Sequence, residues 1–342
     1  MRRGFRFLKG LNRRTVISLV CVLFAELLFL AACGGRSIDN SAAARKEAEG
    51  TPRGASVLVI SEQYGLAYAP LQIMRLKGFL EEELPDYRIS WERLGNTAAI
   101  REAMLAGRID IGFMGIPPFL IGFDRGMKWK IFTGLSEAPL GLVTWKDDID
   151  SLRDFSPGDR IALPQPGSIQ HILLAMACER ELGRADALDD ILVTMNHPDG
   201  MQALLNRREV SAHFTSPPYL MEELSAPDMR QVVTGTEAMG DRFTFIVGVA
   251  VDRVLREEPA VVDALRRALE RSKGFMRDSQ DETIDILSEE YGIDPEQLRT
   301  YLRWEGLIYS STIRGLERFI DFMRDQAYLN NSFEEQEVLY KR

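Results

Sequence analysis

Few side chains in this 342-residue chain are of the kinds that make or break bonds. Its three histidines, His171, His197 and His213, are too scattered to form a recognisable metal motif. The cysteines are Cys21, Cys33 and Cys178, with no C-x-x-C pair among them, so no thiol redox couple or cysteine zinc site is written locally. There is no G-x-S-x-G elbow, no H-E-x-x-H and no phosphate-binding G-x-x-x-x-G-K. The chain is therefore expected to be neither an enzyme nor a metal or cofactor protein. What it does carry is chemistry for holding a small molecule. Tyr64 and Tyr68 offer ring faces to a planar solute, while Glu62 and Glu137 can accept hydrogen bonds from its nitrogens. Asn96, Thr97, Gly115, Ile116, Gln165, Gly167, Ser168, Thr215 and Ser216 supply hydroxyls, amides and backbone donors near helix starts. His171, one turn into a helix, and His197, ahead of Pro198, could face the same solute; His213 lies within a strand and reads as core. Each carboxylate could equally be a solvated loop charge, and each tyrosine a packing residue.

The elements that must position these groups follow from periodicity. "ASVLVI" is a buried strand, "LQIMRLKGFLEEE" has helical spacing, "YRISWERL" alternates, and "GNTAAIREAMLAG" opens a helix capped by Asn96 or Thr97. "RIDIGFMG", "WKIFTGL", "RIAL", "DILVT", "SAHFT", "MRQVVTG" and "FTFIVGVAV" add strands between helical stretches, and the chain is helical from about Glu258 onward. Strands alternating with helices predict mainly parallel sheets flanked by helices. "GFMGIPPFL" (Gly112 to Leu120) and "HFTSPPYL" (His213 to Leu220) repeat one design: a strand, a short turn, a double proline and a new helix. Proline at a helix start removes an amide that has no helical partner anyway. It thus stiffens the loop at the carboxyl end of a strand, where open α/β sheets bind ligands.

Charge within those loops sets a further expectation. Glu62, Glu137, Asp199, Glu237 and Asp241 are acidic, against Arg242 alone. Oxyanion pockets usually recruit arginine or lysine, so the composition leans toward a nitrogen heterocycle.

The first 32 residues are a basic start followed by the apolar "VISLVCVLFAELLFLAAC", the layout of an export signal. "LAAC" before Gly34 and Gly35 resembles the lipobox of bacterial lipoproteins, which implies lipidation of Cys33 and attachment to a membrane of the cell envelope, facing periplasm or exterior. Glu26 inside the apolar run departs from that pattern. Residues 33–55 would be a flexible tether. Without residues 1–32 the chain keeps 36 basic against 50 acidic side chains, a balance of −14, which excludes ordinary nucleic-acid binding.

"GNTAAIREAMLAGRIDIGFMGIPPFLIGFDRGMKWKIFTGL" and "SLRDFSPGDRIALPQPGSIQHILLAMACERELG" resemble the solute-binding proteins of ABC importers for nitrate, sulfonates and taurine. That superfamily also contains binding proteins for thiamine-pyrimidine precursors. The resemblance spans about residues 56–315. It implies a type II periplasmic-binding-protein-like fold, a monomer with a small-molecule solute, and a permease with its ATPase as partners. It places lobe 1 at residues 56–142 plus 243–342 and lobe 2 at 143–242, with hinge crossings near Thr144 and Asp241. A ligand-sensing receptor is the alternative, and an enzyme on the same fold a more distant one.

Overall fold

The structure is a computed structural model and describes residues 56–341. The export signal, the tether and Cys33 lie outside the described residues. Lobe 1 begins with β1 (Ser56–Glu62), α1 (Ala69–Leu76), α2 (Phe79–Glu83), β2 (Tyr87–Arg93), α3 (Thr97–Leu105), β3 (Ile111–Gly115), α4 (Ile116–Asp124) and β4 (Trp129–Glu137). Lobe 2 holds β5 (Gly141–Thr144), β6 (Ile161–Leu163), α5 (Ile169–Leu182), β7 (Leu192–Thr194), α6 (His197–Leu205), β8 (Ala212–Thr215), α7 (Tyr219–Ser225), β9 (Arg230–Thr234) and α8 (Gly235–Met239). The chain then returns through β10 (Ile246–Val251), α9 (Asp252–Glu257), α10 (Pro259–Asp278), α11 (Gln280–Tyr291) and α12 (Pro295–Leu302). It ends with β11 (Ile308–Tyr309), α13 (Leu316–Asp325) and α14 (Glu335–Val338).

Two sheets result, ordered β11-β4-β10-β3-β1-β2 and β7-β6-β8-β5-β9. In each, three strands pair in parallel: β2, β1 and β3 in the first, β7, β6 and β8 in the second. The sheets are nevertheless mixed. The returning strand β10 runs antiparallel to β3 and β4, and β5 runs antiparallel to β8 and β9. A strand that carries the chain from one lobe into the other enters its new sheet from the opposite end, and this accounts for the reversal. Sheet membership also puts the first crossing at residues 138–140, just ahead of the expected Thr144, which closes β5. The second runs through the segment between α8 and β10.

Both double prolines stand where a strand ends. Pro117 and Pro118 occupy the first turn of α4 after β3, and Pro218 immediately precedes α7 after β8. The expected helix cap is Asn96, whose side chain accepts the Ala99 N–H at 3.0 Å. The core beneath lobe 1 is built from Leu58 and Ile60 of β1, Phe113 of β3, Phe119 of α4 and Trp129 of β4, all essentially inaccessible. A smaller cluster of Val143, Ala162, Leu204, Val210 and Leu220 packs inside lobe 2.

Candidate functional site

The carboxyl ends of the strands of the two lobes face each other and nearly touch. The Leu66 N–H of lobe 1 donates to the Pro217 carbonyl of lobe 2 at 3.0 Å. The Ala98 N–H, in the first turn of α3, donates to Gln165 Oε1 at 3.0 Å. Gly65 makes the first contact possible. Its φ is +115°, and a Cβ there would lie 2.8 Å from the Pro217 oxygen, so only glycine fits. Between these contacts is a cavity of about 30 Å³, lined by both lobes. That is room for a water-sized or similarly compact group.

Six of the expected residues line it: Tyr64, Tyr68, Thr97, Gly115, Ser168 and His197. Gln63, Pro118, Pro164, Ile169, Gln170, Phe245 and Ile246 complete the wall; of these Pro118 belongs to the first double proline marked from sequence. Gln170 was also legible. It is two residues past Ser168, whose hydroxyl accepts the His171 N–H at 3.2 Å, and so stands in the first turn of α5, buried where the lobes meet. Gln63 donates to the Thr97 hydroxyl at 3.0 Å and fixes it at the cavity.

The other expected residues serve the surroundings. Asn96 is occupied as a cap. Gln165 bridges the lobes, and Gly167, at φ +77°, makes the turn into α5. Ile116 is buried at the start of α4, and Thr215 and Ser216 are buried at the end of β8. The Thr215 hydroxyl lies 3.3 Å from His197 Nδ1 and so borders the cavity through that ring.

Three candidates are turned to other partners. Glu62 is buried, and its Oε1 accepts from Arg93 Nε at 3.1 Å and Nη2 at 2.7 Å. Arg75 stands 3.9 Å from the same oxygen, and Glu290 pairs with both arginines, which makes a cluster of two acids and two bases. Glu137 accepts from Arg242 at 2.7 Å and Arg314 at 3.2 Å, tying the end of β4 to the second crossing. His171 accepts the Gly167 N–H on Nδ1 at 2.9 Å and places Nε2 3.1 Å from Asp189, so both ring nitrogens are used away from the cavity. The acidic balance inferred for the loops is thereby reduced, because Glu62 and Glu137 are answered by Arg93 of β2, Arg75 of α1, Arg242 and Arg314, which leaves Asp199, Glu237 and Asp241 as the acidic residues of those loops.

Aromatic faces remain. Tyr64 is 41% exposed at the cavity mouth, with the Arg93 guanidinium 5.7 Å from its ring centroid. On the opposite side, Tyr219 stacks on His197 at 5.7 Å and 21°. A roomier hollow of about 330 Å³ lies among α10, α11 and α12, wholly within lobe 1. Its Arg277 and Arg299 are already paired with Asp278 and Asp281. Filling it would not hold the lobes together.

Behind the cavity runs a chain of buried polar groups that sequence reading missed in part. Gln170 Nε2 lies 3.1 Å from His197 Nε2, and His197 Nδ1 lies 3.3 Å from His213 Nε2. His213 Nδ1 in turn lies 2.6 Å from Glu223 Oε1. His213 is core, as expected, but its two nitrogens connect the cavity wall to a wholly buried acid. The signal was present in "HFTSPPYLMEEL", which carries both His213 and Glu223. Only the fold of β8 against α7 shows that they meet.

Solved structures with the same fold include binding proteins. The alkanesulfonate-binding protein SsuA from Xanthomonas axonopodis pv. citri, bound to MOPS, aligns with a TM-score of 0.69 and 20% identity over 85% of this chain and 99% of that one. The periplasmic aliphatic sulphonate-binding protein SsuA from Escherichia coli gives 0.65 and 18%, over 83% and 97%. The periplasmic nitrate-binding protein NrtA from Synechocystis PCC 6803 gives 0.63 and 15%, over 82% and 83%. No family model and no curated protein matches the chain. The architecture described above is thus the two-lobed periplasmic-binding-protein fold.

Proposed function

We propose that this chain is an exported solute-binding protein that captures a small solute between its lobes and delivers it to the permease of an ABC importer. The observation that carries this reading is the small cavity walled by Tyr64, Tyr68 and Thr97 from one lobe and Ser168, Gln170 and His197 from the other. A solute there contacts both lobes at once and stabilises the closed form in proportion to its preference for that form over the open one. The neighbours named for sulfonate and nitrate binding support the same use of the fold. Lipidated Cys33 would hold the protein, as a monomer, at the membrane face where the permease sits. Among the described residues no helix is long and apolar enough to cross a membrane.

The solute class follows from what the cavity offers. Hydroxyls of Thr97 and Ser168 and the Gln170 amide suit acceptor oxygens, and Glu62 and Glu137 are neutralised by arginine. A compact oxyanion of the sulfonate or nitrate kind is therefore the assigned class. A planar aminopyrimidine, as in thiamine precursors, is the second reading, favoured by the exposed face of Tyr64 but requiring the lobes to stand further apart than the cavity of about 30 Å³ between them allows.

A thermal-shift panel of nitrate, methanesulfonate, taurine and an aminopyrimidine separates the two. At a hundredfold excess over Kd a ligand adds about 2.7 kcal/mol of stability, or roughly 5 °C for a chain of this size. A shift with the oxyanions alone supports the assigned class, and a shift with the pyrimidine alone transfers the assignment. No shift with any of them contradicts capture of either class.

A further inference from the structure

We propose that Glu223, His213 and His197 form a proton relay opening on the cleft, so that solute capture is linked to uptake of one proton. The proposal rests on the capture reading and adds its regulation by pH.

The geometry gives the relay a direction. Glu223 is fully buried, hydrogen-bonds through Oε1 to His213 alone, and leaves Oε2 without a partner. His213 is neutral when it donates, and among the described residues no arginine or lysine pairs with Glu223, so a carboxylate there is a buried charge with a single hydrogen bond, a costly state. Two arrangements satisfy the chain of contacts. In the first, Glu223 is ionised, His213 Nδ1–H donates to it, His197 Nδ1–H donates to His213 Nε2, and His197 Nε2 accepts from Gln170. In the second, each proton has moved one step inward. A proton from the cleft forms a new bond at His197 Nε2 and the Nδ1 proton passes to His213 Nε2. The His213 Nδ1 proton passes to Glu223 Oε1. No electrons are exchanged, and the array changes from one negative charge to none. The loaded relay presents an Nε2–H donor at the cavity wall, where an acceptor oxygen of the solute or the turned Gln170 amide receives it.

The groups facing the array are few. Thr215 contributes a hydroxyl 3.3 Å from His197 Nδ1 and relays equally well as donor or acceptor. Glu222 and Tyr219 share α7 with Glu223, and across the cleft Arg93 and Tyr64 act on Tyr219. Strand β5 carries no titratable residue, and Asp199 of α6 is turned to Asn196. Burial raises the Glu223 carboxyl well above the usual carboxylate range. It also lowers His213 to about 3 and, with His213 beside it, depresses His197. These directions keep both imidazoles neutral and send the added proton to the acid. A solute that accepts from His197 binds best while the relay is loaded, so affinity is retained below the relay's transition and lost as pH rises through it.

The test is a pH titration of the full chain with 15N-labelled histidine, in which only three rings report. His197 and His213 should change tautomer together in one transition. An unchanged far-UV circular-dichroism spectrum across the titration should report the native fold. In Glu223→Gln the paired transition should vanish, and in His197→Gln the His213 transition should lose its link to cleft pH. Two rings that never change tautomer, or that change identically in a folded Glu223→Gln, overturn the relay. Calorimetric titration with methanesulfonate and with nitrate, in two buffers of different protonation enthalpy, then counts protons. Uptake of up to one proton per solute is expected, with Kd rising up to about tenfold per pH unit above the transition and both effects absent in Glu223→Gln. Binding without proton uptake overturns the linkage. If neither probe binds while the rings switch as described, the oxyanion reading and the linkage fall together, and the relay stands on the tautomers alone.

Discussion

At the scale of single residues, the chain separates groups that touch the cavity from groups that hold those groups still. Arg93 belongs to the second kind, since it neutralises Glu62 and lies against Tyr64. Replacing it by methionine leaves Glu62 buried with only Arg75 nearby, which should cost about 3 kcal/mol of stability, read as a lower urea midpoint at unchanged slope. Adding Glu62→Gln should restore much of that loss, because the stranded charge is removed. A single variant as stable as the native chain would show that the cluster is a solvated surface pair. The same residues mark the limit of sequence reading. Ser168, Thr97 and Tyr64 were legible because caps and exposed loop aromatics are local signals. Glu62, Glu137 and His171 were not, because Arg93, Arg314 and Asp189 are remote in sequence and nothing local announces them.

At the scale of elements, the alternation of strands and helices was readable throughout, down to the double prolines that start α4 and lead into α7. Strand direction was not. The antiparallel courses of β5 and β10 come from where the chain crosses between lobes, and a local apolar run such as "GLVT" carries no trace of its neighbours. The crossing itself was placed a few residues late for the same reason. The closest approach of the lobes is backbone to backbone, Leu66 N–H to the Pro217 carbonyl, and it depends on Gly65. In Gly65→Ala the methyl meets that carbonyl and φ is strained, a penalty of about 1–3 kcal/mol that opening the lobes partly relieves. X-ray scattering should then show a larger radius of gyration than the native chain, with weaker solute binding. An unchanged radius and affinity would mean that the contact between Gly65 and Pro217 does not govern closure.

At the scale of the whole molecule, two lobes are joined by two crossings, with Glu137 at the end of β4 bonded to Arg242 of the second crossing and to Arg314. A micromolar solute corresponds to about 8 kcal/mol, within reach of a few buried hydrogen bonds and an aromatic contact only when both lobes contribute. The central claim is therefore bilateral capture, and calorimetric titration of methanesulfonate and nitrate tests it most directly. The native chain is set beside Tyr64→Ala, which alters the wall of lobe 1, and Ser168→Ala, which alters that of lobe 2. The account predicts saturable binding by the native chain and at least a tenfold loss of affinity in each variant, with both variants still folded. Equal affinity in native chain and both variants would contradict it and move the binding site away from the cleft.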